Sequence, residues 1–133
     1  MVLTLATSSP SMAWTYWVLA VAGELDDATA PGLGARMARL LGSNPRAGLL
    51  LDLGGVTFID CAGLRPLVQA HRRLGEQLYL RSLRRAVLKV VDLVGLANVF
   101  QILPAGTSWP DATWRTEGVA RSYELSTPSR NAR

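Results

Sequence analysis

A nearly unbroken apolar segment in the middle of the chain, AGLLLDLGGVTFID at residues 47–60, constrains the fold most strongly. A strand with one face in water alternates apolar and polar residues, whereas a continuous apolar run suits a strand that is buried on both faces. Such strands occur in parallel sheets that are covered by helices. The segment therefore predicts an α/β protein.

The segments on either side alternate between strand-like and helix-like patterns. Strand-like stretches lie at 14–22, 76–83 and 98–103, and MVLTLA at 1–6 predicts a weak edge strand. Three intervening stretches carry apolar residues at helical spacing: Leu33, Met37, Leu40 and Leu41; Leu64, Leu67, Val68 and Leu74; Val87, Leu88, Val91 and Val94. We expect the last four to face inward. Pro31 and Pro66 fit these helices only within a first turn. The order predicts a mostly parallel or mixed sheet of about four to five strands with helices packed on it.

The periodic pattern ends near residue 103. We therefore expect one domain over residues 1–103 and a flexible C-terminal tail over 104–133, which is rich in Pro, Gly, Ser and Thr. Trp109 and Trp114 are the exceptions within this tail, because their side chains favour packing on the domain or on a partner.

The composition and the charge distribution of the chain argue against some classes of function. No stretch reaches the roughly 18 apolar residues of a membrane span, and the first residues lack a basic leader, so we expect a cytoplasmic protein. The chain has a formal charge of +4. Residues 1–60 hold three arginines against five acidic residues, whereas 61–103 hold seven basic residues against two acidic ones. Since no aromatic residues interleave with these charges, they indicate a protein-docking or solvated face rather than a nucleic-acid site.

Signatures of catalysis and of cofactors are missing from the sequence. His71 is the only histidine and lies in a basic helical stretch, where we expect a surface side chain. The sequence has no metal-ligand cluster, phosphate-binding loop or dinucleotide fingerprint. We therefore expect no enzyme activity, no metal and no cofactor.

Two segments follow predicted strands and precede predicted helices: GELDDAT at 23–29 and FIDCAG at 58–63. Ligand and partner sites of parallel sheets lie at the carboxyl ends of the strands, and helix N-termini there favour anions. Asp26 or Asp27 could cap the first helix, and Asp60 could cap a second helix that starts at about Ala62. By themselves these residues leave capping and binding roles open, and Cys61 could be an inert apolar residue or a reactive thiol.

Three stretches resemble the STAS domain family, which includes domains of sulfate transporters and bacterial anti-sigma factor antagonists. They are GELDDAT (23–29), LLLDLGGVTFIDCAGLRPLV (49–68) and VVDLVGLANVFQIL (90–103). The resemblance covers about residue 2 to 103 and implies a single STAS-like domain.

The motif at the turn after the third predicted strand departs from the family pattern. Free-standing bacterial members carry Asp-Ser-Ser-Gly or Asp-Ser-Ala-Gly, and a partner anti-sigma factor that is also a kinase phosphorylates the first serine, which breaks the complex. Asp60 and Gly63 match this motif, but Cys61 replaces the phospho-acceptor serine and Ala62 carries no hydroxyl. Position 61 is thus a degenerate phosphosite.

The resemblance implies a non-enzymatic regulator of transcription, similar to an anti-sigma factor antagonist, that phosphorylation at Cys61 does not switch. A kinase-type anti-sigma factor is the implied partner. The implied contact residues are Glu24, Asp26, Asp60, Cys61, Ala62, Gly63, Leu64 and Arg65, and the helix from Ala62 to Leu74 is implied to take part in the docking. Self-association stays open, and we expect neither a membrane nor direct nucleic-acid binding.

Two other functions remain open. Oxidation of Cys61 could make the protein a redox-responsive regulator. Alternatively, the helix N-terminus at Asp60 could bind a nucleotide or a lipid in a small-ligand module. Thr29 and Thr57 are the nearest surviving hydroxyls to the motif.

Overall fold

The structure, a computed structural model, describes residues 14–104 and 114–124, and the side chains of residues 16–104. Its helices and strands are β1 (Trp14–Leu25), α1 (Ala30–Ser43), β2 (Gly48–Ile59), α2 (Cys61–Leu74), β3 (Leu78–Arg81), α3 (Arg85–Leu93), β4 (Gln101–Ile102) and β5 (Trp114–Glu124). Within these ranges the strands form one sheet in the order β4-β3-β2-β1-β5, and all four pairings are parallel. The α/β prediction is therefore confirmed.

The central strand β2 is buried on both faces, as its apolar run predicts. Leu49, Leu50 and Leu51 are fully buried. Leu49 and Leu51 belong to the large core cluster that includes residues of α1, α2 and α3. Because side chains alternate along a strand, Leu50 points the other way, and it packs there in a second cluster with Tyr16, Val18, Tyr79 and Leu103.

The apolar faces of α1 and α2 pack on the sheet as predicted, but α3 differs. Val87 and Val91 are buried one turn apart, whereas Leu88 and Val94 are 40% and 42% exposed. The prediction that Leu88 and Val94 face inward is therefore wrong. The helix is short and ends at Leu93, so Val94 lies beyond it, and Leu88 lies about 100° around the helix axis from the buried Val87.

Pro66 does not lie in a first helical turn. It is the sixth residue of α2, where proline cannot donate the helical hydrogen bond to the carbonyl oxygen of Ala62. The ring is buried towards α1, and a β-carbon placed on Gly34 would lie 3.8 Å from the Pro66 β-carbon. The proline therefore lies at the contact between the two helices.

Sequence analysis missed β5, which lies in the stretch assigned to a flexible tail. Trp114–Glu124 pairs in parallel with β1, from Trp14 opposite Trp114 to Ala22 opposite Glu124. The segment WRTEGVARSYE is polar and contains a glycine, so no local pattern indicates a strand. Trp109 and the predicted strand at 1–6 lie outside the described residues.

Candidate functional site

The two segments singled out in the sequence meet at one edge of the sheet. β1 and β2 are parallel neighbours, and their register ends with Leu25 opposite Ile59. The next backbone N–H, that of Asp60, donates a hydrogen bond to the Leu25 carbonyl oxygen at 3.3 Å. The turn after β1 and the N-terminus of α2 are therefore joined through the backbone.

Gly63 brings these two elements into direct contact. A β-carbon at residue 63 would overlap the Leu25 carbonyl oxygen and lie 2.7 Å from its carbonyl carbon. Side-chain carbons do not approach a backbone this closely, so only glycine fits. The match of Gly63 to the family motif thus has a steric reason.

Asp60 caps α2, as predicted. Its backbone is extended and its Oδ1 accepts a hydrogen bond from the Gly63 N–H at 2.8 Å. The helix begins at Cys61, one residue before the predicted start at Ala62. The same carboxylate lies beside the first helical turn, where the amides and the helix dipole favour negative charge.

Asp26 forms a turn in front of α1, and its carbonyl oxygen accepts a hydrogen bond from the Ala30 N–H at 2.8 Å. Its Oδ1 accepts hydrogen bonds from the N–H groups of Ala28 and Thr29 at 3.0 and 3.1 Å. The N-cap residue is Thr29, whose side chain makes no capping bond, and Asp27 is exposed. Asp27 therefore does not cap the helix, whereas Asp26 satisfies two backbone N–H groups in front of α1, as the predicted cap would.

Sequence reasoning also missed the role of Thr29. Its side chain is 5% exposed, and its Oγ1 donates to the Glu24 carbonyl oxygen at 2.7 Å while accepting from the Asp26 N–H at 3.0 Å. The spacing Asp-x-x-Thr before a helix was the available signal, because both side chains favour turns of this type. The hydroxyl of Thr29 is thus occupied, whereas Thr57 on β2 is exposed.

The implied contact residues divide into two groups. Glu24, Cys61 and Arg65 are exposed, and Asp26, Asp60 and Ala62 are half-buried. Gly63 and Leu64 are buried, so they support the surface from beneath. These residues place an acidic turn next to the exposed thiol and the arginine of α2.

The remaining candidate groups take structural positions. His71 is half-buried, and its ring meets Phe100 edge-on with centroids 5.8 Å apart. Among the described residues, no three His, Cys, Asp or Glu side chains come close enough together to hold a metal ion. None of the described helices is long and apolar enough to cross a membrane.

Comparison with known proteins agrees with this geometry. The STAS domain family matches the chain over residues 10–108. The anti-sigma-F factor antagonist RsfB of Mycobacterium tuberculosis, in strains CDC 1551 and H37Rv, is 29% identical to it over 87 residues, which are 64% of this chain and 70% of RsfB. Because the family match spans most of the sequence and the fold agrees with it, the chain belongs to the STAS domain family.

Proposed function

We propose that this protein is an anti-sigma factor antagonist that binds an anti-sigma factor through the Asp26 turn and the segment Asp60–Gly63. The observation that carries the proposal is the junction between Leu25 and the N-terminus of α2, where the Asp60 N–H and Gly63 both contact one carbonyl group. This junction holds two exposed segments in a fixed relation, as a docking surface requires. Similarity to RsfB supports the partner class.

The proposal includes no switch by phosphorylation at position 61. Cys61 offers a thiol where related antagonists carry the acceptor hydroxyl, and Ala62 offers none. A phosphate at this exposed position would add about −1.5 to −2 charges to a surface that already holds Asp60 and Asp26. Without it, a kinase-type anti-sigma factor stays bound in the presence of ATP. The protein acts in the cytoplasm and catalyses no reaction.

The test uses purified anti-sigma factors from the source organism. Titration calorimetry with the wild-type chain is expected to give a saturable complex with one of them, and the bound sigma factor is expected to dissociate. Asp60→Asn should weaken the complex about ten-fold because it removes a charge at the interface. Asp92→Asn is the matched control, since Asp92 is an exposed carboxylate on α3.

Substitutions at position 61 complete this test. Cys61→Ala should bind as the wild type does, whereas Cys61→Glu should bind more weakly because it places a negative charge at the degenerate phosphosite. A wild-type chain that binds none of the anti-sigma factors, or equal loss of binding in Cys61→Ala and Cys61→Glu, would refute the proposal.

Redox control is a second candidate function, favoured by the exposure of Cys61. Oxidation to a sulfenic acid, or a disulfide with another thiol, would enlarge the side chain at the docking surface. Partner binding with and without hydrogen peroxide tests it, together with non-reducing gels. Equal binding under both conditions in the wild type and in Cys61→Ala would exclude it.

A further inference from the structure

A shallow groove runs along α2 and starts at Cys61. Its volume is about 490 Å³. Cys61, Arg65, Val68 and Arg72 follow one another at i, i+4, i+7 and i+11, so they form a single stripe on the helix. At a rise of about 1.5 Å per residue this stripe is roughly 16 Å long, which is the length of a three-turn helix.

The opposite wall of the groove is the segment that follows α3. The Leu96 N–H bonds to the Val91 carbonyl oxygen at 2.9 Å, and the Gly95 N–H bonds to the Asp92 carbonyl oxygen at 3.0 Å. These two bonds form a Schellman motif, with Gly95 at a φ of 80°. The motif fixes the positions of Val94 and Leu96, which line the groove.

The groove is lined by apolar side chains and by two arginines. Leu64, Val68 and Leu96 provide apolar lining, and Arg65 and Arg72 are exposed on its α2 side. No acidic side chain is found among the lining residues, all of which lie within 61–96 of the described chain. An occupant that complements this surface has an apolar stripe with carboxylates beside it.

We propose that the groove binds an acidic amphipathic helix of the anti-sigma factor, with its apolar side on Val68, Val94 and Leu96 and its carboxylates towards Arg65 and Arg72. This inference rests on the proposed function, because the groove begins at Cys61 and continues the docking surface described above. Charge complementarity sets the orientation of the helix and speeds association. An amphipathic helix that binds in a groove makes its contacts through side chains spaced three and four residues apart.

Arg72 and Arg73 provide a matched pair of variants. Both are exposed and lie in the last turn of α2, so reversal of either charge changes the helix end in the same way. Only Arg72 lines the groove, whereas Arg73 lines a cleft towards α1. Arg65 also lines a cleft that contains Asp27, so it is the less selective probe.

The first experiment measures affinity for the anti-sigma factor that binds the wild-type chain. Arg72→Glu should weaken the complex about ten-fold and reduce its dependence on salt, while Arg73→Glu should stay within about two-fold. Equal effects of the two reversals would overturn the proposal and leave the proposed function intact.

The second experiment does not depend on an anti-sigma factor. Its probe is a synthetic amphipathic helical peptide with leucines on one side and glutamates beside them, compared with a twin that carries lysines in place of the glutamates. Only the glutamate peptide should shift the amide NMR signals of Val68, Val94 and Leu96, and Arg72→Glu should abolish the shifts. Absence of shifts, or equal shifts with both peptides, would overturn the proposal. If these shifts occur while no anti-sigma factor binds, the proposed function fails and the groove assignment stands.

Discussion

Gly63 lies against the backbone carbonyl group of Leu25, so close that a β-carbon at residue 63 would lie 2.7 Å from the carbonyl carbon. The same carbonyl oxygen accepts a hydrogen bond from the Asp60 N–H at 3.3 Å. The end of β1 and the start of α2 therefore share one backbone group. A change at this contact should move both segments of the proposed docking surface together.

We predict that Gly63→Ala lowers the free energy of unfolding by about 3 kcal/mol or more, because the added methyl group meets a backbone that cannot move aside. Gly42→Ala is the control, since a β-carbon on this exposed residue of α1 meets no atom within 4 Å. It should raise stability by about 0.5–1 kcal/mol. Urea denaturation followed by circular dichroism measures both, and a Gly63→Ala protein as stable as the wild type would contradict the structure.

Two substitutions of Asp60 distinguish the contribution of its capping hydrogen bond to stability from that of its charge. Asp60→Ala removes the acceptor for the Gly63 N–H and should cost about 1 kcal/mol of stability. Asp60→Asn keeps an acceptor oxygen and should stay within about 0.5 kcal/mol of the wild type. Denaturation midpoints distinguish the two, and equal losses would show that the capping bond contributes little.

The hydroxyl of Thr29 should stabilise the turn before α1. Thr29→Val keeps the shape of the side chain but leaves the Glu24 carbonyl and the Asp26 N–H without this partly buried partner, which should cost about 1–3 kcal/mol. Thr29→Ser retains the hydroxyl and should lose less. Thermal unfolding of both variants checks the order, and a Thr29→Val protein more stable than Thr29→Ser would reverse it.

Tyr16 and Tyr79 should make the free energy of unfolding fall as the pH becomes alkaline. Their rings lie 5.8 Å apart in the second core cluster. Burial raises the pKa of Tyr79 to about 12 and raises the pKa of Tyr16 well above its ordinary value. Because the folded state holds these protons more tightly than the unfolded state, their contribution is complete below about pH 10 and is lost as the pH rises towards 12.

The measurement for this pair is the free energy of unfolding between about pH 9 and pH 12. We predict a loss on the order of 2 kcal/mol from Tyr79. Tyr79→Phe should show a smaller decline over that range, since it removes one of the two titrating groups. An identical decline in wild type and Tyr79→Phe would assign the effect to other residues.

Short sequence patterns correctly predicted those features of the fold that are determined by neighbouring residues. The apolar run around Leu50 predicted burial on both faces, and the position of Asp60 before a helix predicted its cap, because each follows from neighbouring residues. The close approach of Leu25 and Gly63 joins residues that are distant in sequence, so spacing alone cannot reveal it.

The features that sequence analysis missed also depend on contacts between segments that are distant in the sequence. β5 has a polar sequence and gains its place through pairing with β1, which no window of a few residues contains. Leu88 and Val94 fit the helical period of the segment, but both are exposed, and α3 ends before Val94. The groove along α2 likewise depends on where the segment after α3 places Leu96.

The most direct test of the central claim is the intact mass of the protein after incubation with ATP and a kinase-type anti-sigma factor that binds it. We predict that the wild type gains no phosphate and stays bound, whereas Cys61→Ser, which restores Asp-Ser-Ala-Gly, gains one phosphate and dissociates. A phosphate on wild-type Cys61, or dissociation of the wild type in an ATP-dependent manner, would contradict the claim that this surface has lost its phosphorylation switch.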